Sequence, residues 1–326
     1  MTETILVTGG AGYVGSHVCK ALAVAGFKPV TYDNLFRGHK ELVKWGPLEV
    51  GDVCDTEKLQ AVITRHKPSA VMHFAALTLV GESVAQPGLY HHNNGDGTQS
   101  LLTAMQRCGV NRIVVSGTCA VYGIPQKMPI DENTPIGPIN PYGHSKLAME
   151  NHVHAAATKG ELSSVVLRYF NAAGADPEGE TGEWHEPETH LIPNVLRAAA
   201  GIGEPLRLFG TDYPTPDGTC IRDYIHVCDI AAAHVAALSH LNGPPKGHVF
   251  NLGSGTGFSV RQVIDTARAV TGRDIAFSVE PRRDGDPAIL VADSTRIQND
   301  LQWKPMRSGL PEQIGDAWRW VQKQPR

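Results

Sequence analysis

A glycine-rich run separates the first predicted strand from the first predicted helix. Residues 4–8 are apolar or β-branched, and Gly9-Gly10-Ala11-Gly12-Tyr13-Val14-Gly15 then contains both GxxGxxG and GxGxxG. Such a turn lets the backbone approach a pyrophosphate, and the first amides of the helix donate to its oxygens. An ordinary tight turn is the alternative, but this position favours a parallel α/β sheet with a dinucleotide site.

The rest of the first half alternates short β-branched runs with longer helical segments, which is typical of βαβ units. Strands are predicted at 4–8, 28–32, 48–50, 70–73, 112–116 and 163–168. The helices between them are predicted at 12–25, 56–66, about 87–108 and 142–158. Six strands with interleaved helices predict a doubly wound parallel Rossmann sheet.

Beyond residue 170 the sequence is richer in loops, with proline, glycine and acidic residues dense at 176–188 and 203–218. Helices are predicted at 226–241, 259–271 and 309–322, with short strands near 249–251 and 276–279. We expect a smaller, irregular α/β substrate lobe. The dinucleotide-binding Rossmann domain is assigned to 1–170 plus about 222–250, and the substrate lobe to 171–221 plus about 251–326.

An acidic residue ends the second predicted strand, since Asp33 lies 18 positions beyond Gly15. A carboxylate there accepts hydrogen bonds from the adenosine ribose and repels a 2′-phosphate, which favours NAD over NADP. Arg37 is close enough to keep NADP as an alternative, and Asp33 could instead merely begin a turn with Asn34.

The chain contains a single YxxxK, formed by Tyr142 and Lys146. On a helix this i,i+4 spacing places both side chains on one face, where an ammonium would lower the pKa of the phenol toward that of a general base. Thr118 follows the fifth strand, at the edge of the sheet where ligands bind. The alternative is a surface tyrosine beside a solvated lysine.

Charge and cysteine content exclude several classes of function. A formal net charge of -4 leaves no field for a polyanion, so we expect no nucleic-acid partner. The six cysteines form no CxxC pair, and His152 and His154 face different directions on a helix, so no metal site is expected. No apolar stretch is long enough to span a bilayer, and we expect no membrane association and a cytoplasmic location.

Several ordered motifs together resemble the extended short-chain dehydrogenase/reductase family. Besides the glycine run, Asp33, Thr118 and the Tyr142/Lys146 pair, they are His73-Phe74-Ala75-Ala76, Asn93-Asn94 and Arg168-Tyr169-Phe170-Asn171. Other segments are similar to the UDP-hexose 4-epimerases of that family, namely Val80-Gly81-Glu82-Ser83, Thr189-His190-Leu191-Ile192-Pro193, 210–219 and 221–227. The resemblance covers essentially the whole chain.

The resemblance implies an NAD-dependent isomerase of galactose metabolism that interconverts UDP-glucose and UDP-galactose through hydride transfer to tightly bound NAD and a 4-keto sugar. Its catalytic residues would be Tyr142, Lys146 and Thr118. The cofactor contacts would be Gly9, Gly12, Tyr13, Val14, Gly15, Asp33, Asn34, Asp52, Val53, Phe74, Ala75, Ala76, Asn94, Tyr142, Lys146 and Phe170. The substrate contacts would be Thr118, Tyr142, Asn171, Leu191, Phe209, Arg222, Tyr224, Arg283, Asp286 and Leu290.

Alternatives remain open at this point. A 4,6-dehydratase would need an acid and a base after the catalytic threonine, where this chain has Cys119 and Ala120. Another UDP-sugar, an N-acetylhexosamine or a pentose, could be the main substrate, and a silent dinucleotide sensor is a third possibility. Thr78 stands where several epimerases carry a lysine that contacts the cofactor. By analogy, we expect a homodimer formed through helices near 89–108 and 142–158.

Two further alternatives concern single side chains. Arg222 and Arg283 suit the two phosphates of a UDP-sugar, but either could instead form a structural salt bridge to a neighbour such as Asp223 or Asp284. Leu290 aligns where the family contacts the C2 substituent of the sugar. It could instead belong to a core strand with Ile289 and Val291.

Overall fold

The computed structural model describes residues 2–283 and 285–324. The strands in chain order are β1 Thr4–Thr8, β2 Lys28–Asp33, β3 Leu48–Val50, β4 Ala70–His73, β5 Arg112–Thr118, β6 Ser163–Tyr169, β7 Asn171–Ala173, β8 Leu206–Phe209, β9 Ile221–His226, β10 Gly247–Leu252, β11 Gly257–Ser259, β12 Phe277–Glu280 and β13 Ile289–Leu290. Seven of them form a parallel sheet that dominates the fold, with the strand order β10-β6-β5-β4-β1-β2-β3.

Helices cover both faces of this sheet. In chain order they are α1 Tyr13–Val24, α2 Thr56–His66, α3 Val80–Ala85, α4 Pro87–Tyr90, α5 Gly97–Arg107, α6 Pro141–Thr158, α7 Leu191–Ala199, α8 Val227–His240, α9 Val260–Thr271, α10 Thr295–Leu301 and α11 Leu310–Val321. None of the described helices is both long and apolar enough to cross a membrane.

Successive residues of β1 face opposite sides of the sheet, so each side has its own core. Ile5 and Val7 pack with Val18 of α1 and Ile230 of α8, whereas Leu6 belongs to the core on the other face, formed with α2, α5 and α6. Side-chain alternation of period two on a strand covered on both faces gives this arrangement. The predicted doubly wound Rossmann sheet is confirmed, with β10 as a seventh strand beyond the six that define it.

The remaining chain builds a smaller lobe beside the carboxyl ends of the large sheet. β9 pairs with β7, β11 and β13, β8 pairs with β12, and α7, α9 and α11 enclose a separate apolar core. Five of these strands were not predicted, namely β7, β8, β9, β11 and β13. They lie in the loop-rich half of the chain, outside the regular alternation of strands and helices on which the other predictions rest. β9 lies in this smaller sheet, although 222–226 was assigned to the NAD-binding domain. The boundaries of the two lobes otherwise stay a prediction.

The helix predicted near 87–108 runs without a break, but its hydrogen-bonding pattern changes in the middle. α4 and α5 are joined by a π-helical segment, His91–Asp96, which inserts extra backbone into the helix. This segment buries Asn94, and π-bulges of this kind are frequent at functional sites.

Candidate functional site

A cavity of about 950 Å³ lies between the carboxyl ends of the large sheet and the smaller lobe. Parallel sheets place their ligand sites in this position because the loops after the strands converge there. Most residues predicted for the site line the cavity: Gly9, Gly12, Tyr13, Val14, Gly15, Asp33, Asn34, Val53, Phe74, Ala75, Ala76, Thr118, Tyr142, Phe170, Asn171, Leu191, Phe209, Arg222, Tyr224, Arg283, Asp286 and Leu290. Asp52, Asn94 and Lys146 lie behind this lining.

The glycine run forms a tight turn between β1 and α1. Gly9 has a φ of +75°, and a Cβ on it would lie 2.5 Å from the backbone nitrogen of Ala75. A Cβ on Gly15 would overlap the carbonyl oxygen of Gly9. The N-cap of α1 is Gly12, and neither a capping side chain nor an acidic residue occupies the first turn. The first amides of α1 are therefore open to an anion, as a pyrophosphate requires.

Asp33 is nearly fully buried at the end of β2. Its carboxylate accepts from the backbone amides of Ala11, at 3.1 Å, and Leu35, at 2.9 Å. Burial raises the pKa of Asp33, and these hydrogen bonds oppose the increase. Each carboxylate oxygen keeps a further lone pair, so Asp33 can both hold the glycine turn and accept from a ribose.

Asp52 acts on the cavity through its neighbour. Its carboxylate accepts from the side-chain amide of Asn34, at 2.9 Å, and from the backbone amide of Cys54, at 2.8 Å. Burial opposes ionisation, but these bonds outweigh it and lower the pKa of Asp52. Asp52 thus positions Asn34, which does line the cavity.

Arg37 also lines the cavity, but it is engaged by the protein. Its Nη2 lies 2.7 Å from a carboxylate oxygen of Glu82, and its Nη1 donates to the carbonyl of Glu186. An arginine held in this way is less available to a 2′-phosphate, so the structure weakens the NADP alternative.

Tyr142 and Thr118 meet at the edge of the cavity. Helix α6 begins at Pro141, and its N-cap Asn140 accepts from the amide of Gly143 at 2.9 Å, which fixes the first turn carrying Tyr142. Burial raises the pKa of Tyr142 to about 12, and a hydrogen bond with Thr118 lowers it by less. Thr118 is thus a neighbour that lowers the pKa of the phenol, and its sharing of a hydrogen bond with the substrate stays a prediction.

The electrostatic effect predicted for Lys146 on the phenol stays a prediction, because burial and neighbours other than Lys146 account for the shift in the pKa of Tyr142. Lys146 is almost fully buried, and its Nζ donates to the carbonyl of Ser116 at 2.7 Å. Burial lowers the pKa of Lys146 to about 8, and only Glu150 opposes the decrease. The groups that shift the pKa of Tyr142 are its burial, Thr118 and Cys119. The dominant effect on the phenol is desolvation.

The polar residues of the smaller lobe gather at the opposite end of the cavity. Arg222 pairs with Asp286 and donates to its own strand at the carbonyl of Ile221, at 2.7 Å. The guanidinium of Arg283 lies over the ring of Phe209, 4.2 Å from its centroid. Two arginines held this way present a positive region suited to phosphate groups.

Asp223 does not pair with Arg222. Its carboxylate accepts instead from the backbone amides of Ser254, Gly255 and Ala292, so it anchors a loop. The other suggested partner, Asp284, lies outside the described residues. Leu290 lines the cavity and also packs against the buried cluster around Phe170, so its strand serves both the core and the site.

Some lining residues were not predicted. They include Tyr169, whose hydroxyl pairs with Ser116, and three residues of one loop, Glu183, His185 and His190. The loop residues had a visible signal, the dense histidines and glutamates of His185-Glu186-Pro187-Glu188-Thr189-His190. Tyr169 belongs to the motif Arg168-Tyr169-Phe170-Asn171, but its place beside Ser116 depends on the pairing of β6 with β5.

The fold and the site together define a dinucleotide-dependent α/β enzyme of the short-chain dehydrogenase/reductase kind. The chain belongs to the NAD dependent epimerase/dehydratase family, which matches residues 5–253. The family predicted from the motifs is thereby confirmed.

The relatives are similar over nearly their whole length. The chain is 49% identical to the UDP-glucose 4-epimerase of Rhizobium leguminosarum bv. trifolii over 98% of both chains. The crystal structure of UDP-glucose 4-epimerase from Brucella ovis in complex with NAD matches with a TM-score of 0.95 at 46% identity, covering 98% of both chains. That of UDP-glucose 4-epimerase from Bifidobacterium longum in complex with NAD+ and UDP matches with a TM-score of 0.94 at 36% identity, covering 99% of both.

Proposed function

We propose that this chain catalyses the reversible C4 epimerisation of a UDP-hexose, interconverting UDP-glucose and UDP-galactose with tightly bound NAD. The observation that carries the proposal is the position of Tyr142 and Thr118 in one cavity with the glycine turn at one end and Arg222 and Arg283 at the other. The relatives whose names and ligands match this reaction support it. NAD, when bound, supplies a reversible hydride acceptor and a positively charged ring.

The residues around the glycine turn fit this cofactor. The uncapped first turn of α1 would hold the pyrophosphate, and Asp33 would accept from the adenosine ribose. Phe74, Ala75 and Ala76 form the wall of the cavity after β4, where they pack against the turn at Gly9. Lys146 would stay behind Tyr142, since its bond to Ser116 already fixes it.

Tyr142 would remove the proton of the sugar 4-hydroxyl and return it after the sugar has turned over, while Thr118 shares that hydrogen bond. Burial raises the pKa of Tyr142 to about 12 and so disfavours its deprotonation in the ligand-free protein. Arg222 and Arg283 would bind the diphosphate, leaving the sugar free to present either face.

Dehydration is disfavoured by the residues after Thr118. Ala120 carries no titratable group, and burial raises the pKa of the Cys119 thiol to about 12, so that it stays protonated at neutral pH. Neither residue can act as the second acid or base that water elimination across C5 and C6 requires.

The test is incubation of the purified protein with UDP-galactose, UDP-N-acetylgalactosamine and UDP-arabinose in separate reactions, with each product separated and identified. We expect UDP-glucose from UDP-galactose. A 4-keto-6-deoxy product would indicate a dehydratase instead. Absence of any conversion, with NAD still bound, would indicate a silent dinucleotide-binding protein.

We also propose a homodimer formed through 89–108 and 142–158. Leu89 and Val84, at the exposed end of this helical layer, have 37% and 64% of their surfaces exposed. Light scattering should give twice the 35.1 kDa mass of one chain. Substitution of Leu89 by glutamate should shift the population toward monomer, whereas the exposed Val24→Glu in α1 should not.

A further inference from the structure

Two histidines and two glutamates converge in the loop before α7, beside the cavity. The ligand atoms of Glu183, His185, Glu188 and His190 all lie within 4.8 Å of one another. Glu183 and Glu188 are largely buried, with side-chain exposures of 8% and 5%. The reaction proposed above assigns no role to any of these four side chains.

Four distances between the imidazole and carboxylate groups can be compared with those of a metal coordination shell. The Nδ1 of His190 lies 2.7 Å from Glu183 and 3.2 Å from Glu188, and the Nδ1 of His185 lies 3.1 Å and 3.8 Å from the same two carboxylates. Four ligands at about 2.0–2.1 Å from a tetrahedral Zn²⁺ are separated from one another by about 3.3 Å. The four observed separations bracket that value.

The loop is held in place from several sides, as a preformed site requires. The carboxylate of Glu188 accepts from the amides of Thr189 and His190, both at 2.8 Å. The carbonyl of Glu183 accepts from the indole of Trp320 at 2.9 Å, which ties the loop to α11. Hydrogen bonds of this kind orient the ligands of a metal ion, and the loss of one typically lowers metal affinity by about 10–100-fold.

We propose that Glu183, His185, Glu188 and His190 bind one divalent transition-metal ion of the Zn²⁺ class. Two imidazoles with two carboxylates suit zinc, cobalt, nickel or iron, whereas Mg²⁺ and Ca²⁺ prefer oxygen ligands alone. Two ionised carboxylates also balance the charge of such an ion. The sequence predicted no metal site, because neither the spacing of the cysteines nor the histidine pair on α6 suggested one and the loop at 183–190 was not considered.

The ion would link the two lobes. His185 lies edge-on to the ring of Tyr13 in the glycine turn, with 6.4 Å between centroids, and His190 directly precedes Leu191 at the start of α7. Tyr13 in turn donates to the carbonyl of Gly174 at 2.6 Å. A metal at this position would fix the start of α7 against the dinucleotide turn and would be structural, because the predicted reacting groups lie at Tyr142 and Thr118.

The experiment uses the full chain, stripped with a chelator and then titrated with Zn²⁺ by calorimetry and with Co²⁺ by absorption spectroscopy. We expect one ion per chain, an intense visible Co²⁺ spectrum characteristic of tetrahedral coordination, and a higher melting temperature with Zn²⁺ than with Mg²⁺. Glu183→Gln and His190→Gln should each lower Zn²⁺ affinity at least ~100-fold.

Matched controls separate this site from surface binding. Glu178→Gln alters the other acidic cluster, beside Lys20, and His154→Gln removes an exposed histidine of α6, so both should keep wild-type affinity. The proposal is overturned if the stripped wild-type chain binds no Zn²⁺ tightly, or if the cluster variants bind as well as the controls. In that case the cluster is held together by ion pairs between a protonated histidine and the two carboxylates. The measurements need no turnover, so their outcome is independent of the proposed reaction. If a cluster variant fails to fold, the titrations of the wild-type chain decide.

Discussion

Tyr142 is the residue on which the proposed chemistry depends most directly. Removing its hydroxyl leaves a ring of the same shape but no group that can accept the sugar proton. We expect Tyr142→Phe to lower kcat at least ~100-fold, the scale of a lost general base, with UDP affinity nearly unchanged. Turnover of UDP-galactose and UDP binding by calorimetry are the two measurements.

Tyr213→Phe is a matched control for that substitution. Tyr213 is also buried, but within the described residues its hydroxyl has no hydrogen-bond partner, and it does not line the cavity. Its loss should leave kcat within about twofold of wild type, since no bond is removed. Near-normal turnover in Tyr142→Phe itself would remove this residue from the mechanism.

Lys146 is a buried cation, and the free energy of unfolding that its burial costs the protein can be measured. Its pKa falls from 10.5 in the unfolded chain to about 8 in the fold. The unfolded state therefore binds more protons between these values, so stability rises with pH across that window and is lower below pH 8. Lys146→Met should raise the free energy of unfolding of the ligand-free protein by ~1–2 kcal/mol at pH 7, allowing for the lost bond to Ser116.

The gain from Lys146→Met should shrink as the pH approaches 10, and turnover should be lost at every pH. Urea denaturation at pH 7 and pH 9.5 measures the first effect. Lys159→Met, at the exposed end of α6, should show neither. A variant less stable than wild type at pH 7 would show that the hydrogen bond outweighs the desolvation of the ammonium.

By the family resemblance, Leu290 is predicted to limit the space available to the substituent at C2 of the sugar. It lines the cavity while packing against the cluster of Phe170 and Val121, which restricts its movement. We expect some activity on UDP-N-acetylglucosamine, and Leu290→Ala should raise kcat/KM for this substrate relative to UDP-glucose ~10–200-fold. Ile289→Ala is the control, since its side chain does not line the cavity. No epimerisation of the N-acetylated sugar by either wild type or Leu290→Ala would contradict this prediction.

Among the elements, the π-helical segment between α4 and α5 joins three parts of the site. Asn94 within it is fully buried, donates to the carbonyl of Leu77 at 3.0 Å and to the hydroxyl of Ser145 at 2.9 Å, and accepts from the amide of Leu77 at 2.8 Å. It was predicted as a cofactor contact. The structure places it behind the cavity wall, where it holds the loop after β4 against α6.

Asn94→Ala should therefore act mainly on stability. It leaves the buried amide and carbonyl of Leu77 without their side-chain partner, while the hydroxyl of Ser145 keeps its bond to the carbonyl of Tyr142, which predicts a loss of ~2–4 kcal/mol in the free energy of unfolding. Asn151→Ala on the exposed face of α6 should change it by less than about 0.5 kcal/mol. Equal stability of the two variants in urea denaturation would show that the segment relaxes around the missing amide.

At the scale of the whole molecule, the cavity lies between two lobes, so a bound dinucleotide would be covered by both. We expect purified protein to contain NAD(H) and to turn over with no net change in added nicotinamide, because each cycle returns its own hydride. Absorbance at the NADH band during turnover, together with cofactor released by acid, measures this. Steady stoichiometric release of NADH would contradict it. Whether Thr78, which lines the cavity in place of the family lysine, weakens retention stays a prediction.

The sequence by itself determined the large sheet and the dinucleotide turn. β1, β3, β4 and α2 have the bounds predicted for them, because the strands are short runs bounded by turn residues within a regular alternation of strands and helices, and α2 has a period-3.6 pattern. The glycine turn was also predictable from its local sequence, because a side chain at Gly9 or Gly15 would overlap the neighbouring backbone.

Only the tertiary structure decided the electrostatics and the neighbours of the site. The YxxxK spacing placed Tyr142 and Lys146 on one face, but the depth of burial, which spacing does not encode, raised the pKa of one and lowered that of the other. Contacts between residues far apart in the chain pair Arg222 with Asp286 and place Tyr169 beside Ser116. Such contacts also form the short strands around β9. A single sequence holds no record of such contacts, because their energies arise only when the packed lobes bring the groups together.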